Sequence, residues 1–104
     1  MNFRIARDEY GVPHVRGETA VAAWFGMGYA CAADRMFQMD YDRRRACGRW
    51  AEIAGASAVG PDILARRLGL AAAAERDVAA MSPALRAAFE SYAAGVNQAL
   101  VSRS

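Results

Sequence analysis

Three groups of residues carry functional groups at spacings on which chemistry can be built. They are the lone histidine His14, the cysteines Cys31 and Cys47, and a charged run from Asp34 to Glu52. An imidazole acts as a general base only within hydrogen-bond reach of the proton it takes. His14 follows Pro13 on a short extended segment with no nucleophile adjacent in sequence, so a histidine satisfied by a backbone carbonyl is the simpler reading. If both cysteines lie on one helix, a rise of about 1.5 Å per residue sets them roughly 24 Å apart, whereas a disulfide needs Cα atoms within about 7 Å. Both are therefore read as small core residues of a reduced protein. Ser57, Ser82, Ser91, Ser102 and Ser104 show no G-x-S-x-G elbow. No grouping of His, Cys, Asp and Glu has zinc or calcium spacing, so no metal and no other cofactor is expected.

The charged run reads as helix surface. Asp40 reaches Arg43 and Arg44 at three and four residues, and Asp42 reaches Arg45 at three, with acid before base, the favourable order. Arg43-Arg44-Arg45 is basic enough for a phosphate, but the preceding acids on the same helix account for it as ion pairs. All thirteen basic residues are Arg and the net charge is +2, too mild a balance for a nucleic-acid partner. Asp34-Arg35 lies between apolar turns, where a charge must be paired or it costs several kcal/mol. It is read as locking its helix against a neighbouring element rather than shaping a pocket.

The elements that position these residues follow from periodicity. FRIAR (residues 3–7) alternates apolar and polar, Asp8–Gly11 is a turn, and Val12–Arg16 is a second extended segment that Pro13 keeps at a strand start. Residues 3–16 thus form a β-hairpin, which needs a helix or a larger sheet to lie on. Thr19 is an N-cap for a long helix over 19–54, with Val21, Phe25, Gly28, Ala32, Met36 and Met39 on one face, a kink at Gly48 and Gly55 as its stop. Pro61 and Asp62 open a helix over about 61–81, interrupted at Gly69. Ser82 and Pro83 open the last helix, 83–101, with Leu85, Ala88, Phe89, Tyr92, Val96, Ala99 and Leu100 on one face. At 104 residues the chain is one domain at most, and the fold class is mainly α with an N-terminal β-hairpin. Hydrophobic residues make up 55%, more than a few small helices hide from one another, so part of that surface belongs against a missing partner. MNFRIARDEY has no apolar leader core, and no run is long enough to span a membrane. A cytoplasmic location is the default, with a periplasmic or secreted parent if a leader has been trimmed.

Two blocks together resemble a known pattern. RDEYGVPHVRGET resembles the opening strand pair of the penicillin acylase (penicillin amidase) family, R-D-x-x-G-v-P-H-i-x-a, carried here by Arg7, Asp8, Gly11, Pro13 and His14. GMGYACAADRMFQMDYDRRRACGRWAEIAG resembles the helix that comes next in that family. Its matching residues include Gly28, Tyr29, Asp34, Arg35, Gln38, Met39, Arg43, Arg44, Gly48, Arg49, Glu52 and Gly55. Asp62, Arg66, Leu68-Gly69-Leu70 and the segment Tyr92–Asn97 continue the match in order, over nearly the whole chain.

The resemblance implies an N-terminal-nucleophile hydrolase of αββα sandwich architecture, in which the hairpin joins the central sheet. Such a precursor cuts itself into an α and a β chain, and the new N-terminal Ser of the β chain attacks an amide carbonyl. Its substrates are linear amides: penicillins, cephalosporin side chains or acyl-homoserine lactones. The sequence departs from the family by stopping after the first part of the α chain. Gly55-Ala56-Ser57 resembles a cleavage junction, but too little chain comes after it to build the sandwich. No catalytic residue is therefore assigned here. Asp34, Arg35, Asp40, Arg43, Arg44 and Glu52 are expected to form a structural ion-pair network, and Asp8, Gly11, Pro13 and His14 to carry the family motif. The expected partners are the rest of the α chain and the β chain, with self-association of the isolated, inactive piece. The competing reading is a free-standing helical interaction module without catalytic activity.

Overall fold

The structure is a computed structural model that describes residues 2–103. Two strands are followed by five α-helices. They are β1 Phe3–Arg7, β2 Pro13–Gly17, α1 Ala20–Ala46, α2 Ala51–Ala54, α3 Val59–Leu68, α4 Leu70–Ala80 and α5 Pro83–Arg103, with one 3-10 turn at Ala56–Ala58. The chain is mainly α with an N-terminal antiparallel hairpin, and it divides into two compact units. One holds the residues up to 36 with those from 82 onward, and the other is Phe37–Met81.

In the first unit the hairpin register is Phe3↔Gly17, Arg4↔Arg16, Ile5↔Val15, Ala6↔His14 and Arg7↔Pro13. Its apolar side turns to α1: the Phe3 ring lies 5.4 Å from that of Phe25 and 6.2 Å from that of Tyr29. A Cβ on Gly26 would run into Val15 and Phe3. Thr19 caps α1 by accepting the amide of Ala22 at 3.1 Å. Ser82 caps α5 by accepting the amide of Leu85 at 3.2 Å. Both caps satisfy a backbone N–H that a helix start leaves without a partner.

Helices α1 and α5 meet backbone to backbone. A Cβ on Gly28 would land on the Tyr92 carbonyl, and one on Gly95 would land on the Phe25 carbonyl. The buried residues are accordingly small: Ala22, Gly26, Gly28, Ala30 and Ala32 on α1, with Ser91, Gly95 and Ala99 four residues apart on α5. Buried Ser91 donates its hydroxyl to the Val21 carbonyl at 2.6 Å. Of the apolar faces expected from periodicity, Gly28, Ala32 and Ala99 are buried, but the large members are not. Leu85, Phe89 and Leu100 are 47%, 55% and 46% exposed, and Val21 is 38% exposed. The reading by period favours large residues inside, but a contact this close admits only small ones and turns the large ones outward.

The helix expected over 19–54 is also interrupted. Arg35, at φ −133° and ψ 28°, leaves helical geometry, so α1 is two helical stretches merged across a kink. It ends at Ala46 because Gly48 turns to φ +68°, a conformation that side chains disfavour. In the second unit, α2 is a single turn, and Gly69 at φ 70° separates α3 from α4. Trp50 stands edge-on to Tyr41 at 4.8 Å and to Phe37 at 6.3 Å. Helix α4 buries no residue.

Gly95→Ala should therefore destabilise the chain by about 1–3 kcal/mol, the usual cost of overpacking a close contact. Gly60→Ala, whose Cβ would meet nothing within 4 Å, should leave stability unchanged or raise it by about 0.5 kcal/mol. Urea unfolding of both variants reads the contrast, and equal losses would contradict the close-contact account.

Candidate functional site

The residues singled out by type and spacing gather in three places. The first is the hairpin turn. Asp8 organises it: Oδ1 accepts the amides of Tyr10 at 2.9 Å and Val12 at 3.0 Å, and its backbone pairs with Val12 and Gly11. Its other oxygen, Oδ2, faces His14 Nε2 at 3.0 Å. The hydrogen bond from His14, and after it the Val12 amide, hold the Asp8 carboxyl below its ordinary range. His14 is thus held by a carboxylate, not by the backbone carbonyl expected from sequence. Gly11, at φ +79°, closes the turn, and its carbonyl accepts Arg7 Nη1 at 2.9 Å. Pro13 begins β2.

Arg7 ties this turn to α1. Its guanidinium grips Asp34 with both nitrogens, Nη1 to Oδ2 at 2.9 Å and Nη2 to Oδ1 at 2.7 Å, the fork geometry that Lys cannot supply. The same contact holds the Asp34 carboxyl below, and the Arg7 guanidinium above, their ordinary values. Asp34 therefore fastens α1 to β1. The partner is Arg7, with adjacent Arg35 contributing only its charge.

The second place is the charged run of the second unit. Asp40 accepts from Arg43 at 2.8 Å and from Arg44 at 3.0 Å. Arg44, whose side chain is only 19% exposed, reaches on to Glu52 at 2.9 Å, and Glu52 also takes Arg49 at 2.8 Å. Asp40 is held low by Arg43 first and Arg44 second, and Glu52 by Arg49 first, with a smaller contribution from Arg44. The structure brings Asp40, Arg43, Arg44 and Glu52 into one network, adds Arg49 to it, and pairs Asp34 elsewhere. The expected Asp42–Arg45 pair gives way to Arg45 donating to the Tyr41 hydroxyl at 2.6 Å, with its guanidinium 5.5 Å from that ring's centre.

At the third place sequence reasoning set Asp62 in the first turn of a helix but missed what Asp62 and Arg66 hold. Asp62, 6% exposed, accepts the amides of Trp50 at 3.1 Å and Ala51 at 2.7 Å, which makes it the cap of α2 from eleven and twelve residues downstream. Arg66, one turn further along α3, donates Nε to the Gly48 carbonyl at 2.9 Å. The available signal was a helix start, Trp50-Ala51-Glu52, with no capping residue of its own. In the first unit, Tyr92 has its hydroxyl pushed up to about 12 by its hydrogen bond with Cys31 and by burial. Both cysteines are free thiols.

These arrangements position backbone. The Asp8–His14 pair has the turn amides, not a hydroxyl or thiol, as its further partners. Among the described residues, no three His, Cys, Asp or Glu side chains are placed to hold a metal ion. No helix among them is long and apolar enough to cross a membrane.

Comparison with known proteins places this geometry. A family model described as penicillin amidase matches residues 2–104. The chain belongs to the penicillin amidase family. It is 41% identical over 95% of its length to penicillin acylase 2 proenzyme of a Pseudomonas species, covering 13% of that protein. It is 38% identical over 91% of its length to penicillin G acylase of Escherichia coli, covering 11% of it. Against acyl-homoserine lactone acylase QuiP of Pseudomonas putida, identity is 40% over 92% of the chain and 12% of that protein. A thermostable penicillin G acylase from Alcaligenes faecalis superposes with a TM-score of 0.87 at 37% identity, covering 97% of this chain and 54% of that one. The chain thus spans about an eighth of the length of these curated relatives. Its architecture is that of a piece of the N-terminal-nucleophile hydrolase sandwich. Arg7, Asp8, Gly11, Pro13, His14 and Asp34 fall together at the hairpin turn and its anchor on α1.

Because ionised Asp34 is favoured in the folded state, its contribution to stability is complete above its ordinary value of 3.8. It is lost as pH falls from there through the lowered folded-state value. In Asp34→Asn the stability deficit relative to the parent chain should stay constant at neutral pH and narrow below about pH 4. Denaturant titrations at several pH values measure it, and a deficit independent of pH would contradict the pairing. Asp62→Ala should cost about 1–2 kcal/mol, the loss of a helix cap, in the same unfolding assay. An effect within a few tenths would show that α2 does not depend on it.

Proposed function

We propose that this chain is the N-terminal part of the α chain of a penicillin-acylase-like amidohydrolase. The observation that carries the reading is the 0.87 TM-score to penicillin G acylase, reached at 37% identity over 97% of the chain. In the whole enzyme an N-terminal Ser on the β chain attacks an amide carbonyl, with its own α-amino group as base. A hydroxyl is a weak nucleophile until such a base is held beside it, and hydrogen-bond donors around the developing oxyanion stabilise the tetrahedral intermediate. Substrates are linear amides of the kinds named by the relatives, penicillins and acyl-homoserine lactones. This chain contributes scaffold. Its hairpin, fastened by Arg7 to Asp34, enters the central sheet, and its outward-facing Trp24, Phe37, Phe89 and Leu100 meet the rest of the enzyme.

A second reading, a helical interaction module without activity, draws on one feature. Trp24, Leu85, Ala88, Phe89 and Tyr92 line a wholly apolar concavity of about 230 Å³, a surface fit for a partner helix. One experiment separates the two. Release of a chromophore from phenylacetyl, glutaryl and long-chain acyl amides is measured for this chain and for the product of the whole reading frame that contains it. The expected result is self-cleavage and turnover by the longer product alone. A longer product that neither cleaves itself nor hydrolyses any of these amides overturns the acylase reading. The isolated chain should self-associate through its exposed apolar faces, and a monodisperse monomer in light scattering would contradict that.

A further inference from the structure

The hairpin has a second face. Because Phe3, Ile5 and Val15 turn toward α1, alternation along the strands sets Arg4, Ala6, His14 and Arg16 on the opposite side. These four line a single concavity of about 300 Å³. Within it Arg4 and Arg16 stand directly across from each other in the ladder, and like charges so placed repel. The neighbouring acids do not relieve them. Asp8 is committed to two turn amides and His14, and Glu18, just beyond β2, makes no ion pair with either arginine among the described residues.

We infer that this face receives a carboxylate: an Asp or Glu side chain from the remainder of the acylase chain, held between the Arg4 and Arg16 guanidinium groups. The inference rests on the acylase reading above, in which this chain is one part of a larger sandwich. A layer packed over the hairpin would remove two guanidinium groups from water, which is tolerated only when each is paired. Charge complementarity therefore selects an acidic partner. The guanidinium forks suit a carboxylate approached from both sides, and the concavity they line with Ala6 and His14 has room for a side chain.

The test uses the product of the whole reading frame, in the parent form and as Arg4→Gln, Arg16→Gln and the double variant. Arg67→Gln, an exposed arginine on α3, serves as control. On a bare face, removing one of two opposed charges lengthens the half-life at an inactivating temperature. On a face that holds a carboxylate it shortens it. The expected result is a half-life about tenfold shorter for each single variant, little further loss in the double because one carboxylate is shared, and no change in the control. A half-life unchanged or lengthened in either single variant overturns the inference. Inorganic phosphate bound by the unsubstituted whole product below millimolar concentration, and lost in Arg16→Gln, overturns it too, because the site would then be open to a soluble anion. Amide hydrolysis by the unsubstituted product checks the acylase reading separately. If hydrolysis is present while the half-lives go the wrong way, only the carboxylate inference falls.

Discussion

In the first unit, the backbone contact between α1 and α5 dictates which residues can be buried and which must face outward. With Gly28 against the Tyr92 carbonyl and Gly95 against the Phe25 carbonyl, the two helices approach too closely for any large residue to stand between them. The core is consequently made of alanines such as Ala22, Ala30, Ala32 and Ala99, and among the described residues no large side chain is fully buried. A buried methyl contributes on the order of 1 kcal/mol where a buried Leu or Phe contributes about 1.5–3. The contact therefore gains its stability from dispersion between well-fitted backbones more than from the area it hides. The same closeness pushes Leu85, Phe89 and Trp24 to the outside, where they form apolar surface the chain itself does not cover.

Polar geometry does for the hairpin what small residues do for the helices. An isolated two-stranded ribbon is marginal in water, and this one is held at both ends. Phe3 and Val15 press on α1 around Gly26, and Arg7 clamps the turn end to Asp34. Asp8 then commits its carboxylate to the turn, so that Arg7, Asp8, Gly11, His14 and Asp34 form one connected set of hydrogen bonds. Exposed ion pairs contribute little to stability as a rule. The value of this set is directional, because it fixes how a two-stranded ribbon leaves the helix and hence which edge and which face it offers to further strands.

Much of this was legible in the sequence because it rests on local rules. The hairpin, the Thr19 and Ser82 caps, Pro83 at the start of α5 and the Asp40–Arg43–Arg44 pairs all depend on residues within four positions of each other. The features that were not legible depend on distance along the chain. Asp62 caps a helix eleven residues behind it, and Arg7 reaches twenty-seven residues to Asp34; neither has a signature in spacing. The kink at Arg35 and the end of α1 at Ala46 escape a reading by period for a related reason. Gly48 reads as a kink in a continuing helix, but its positive φ, with Asp62 and Arg66 in the space a side chain would need, makes it a stop. Of the apolar stripes of α1 and α5, the small members Gly28, Ala32 and Ala99 are buried while Val21, Leu85, Phe89 and Leu100 are not, because periodicity ranks residues by hydrophobicity, whereas a close helix contact ranks them by size.

The residues that hold each of the two units together accordingly divide by what they do to backbone. Gly28 and Gly95 set a distance, Asp8 and Asp62 satisfy orphaned amides, Arg7 and Arg66 tie one segment to another. None of these roles needs a substrate. The alanine core offers few large contacts that can compensate when one fitted contact is lost.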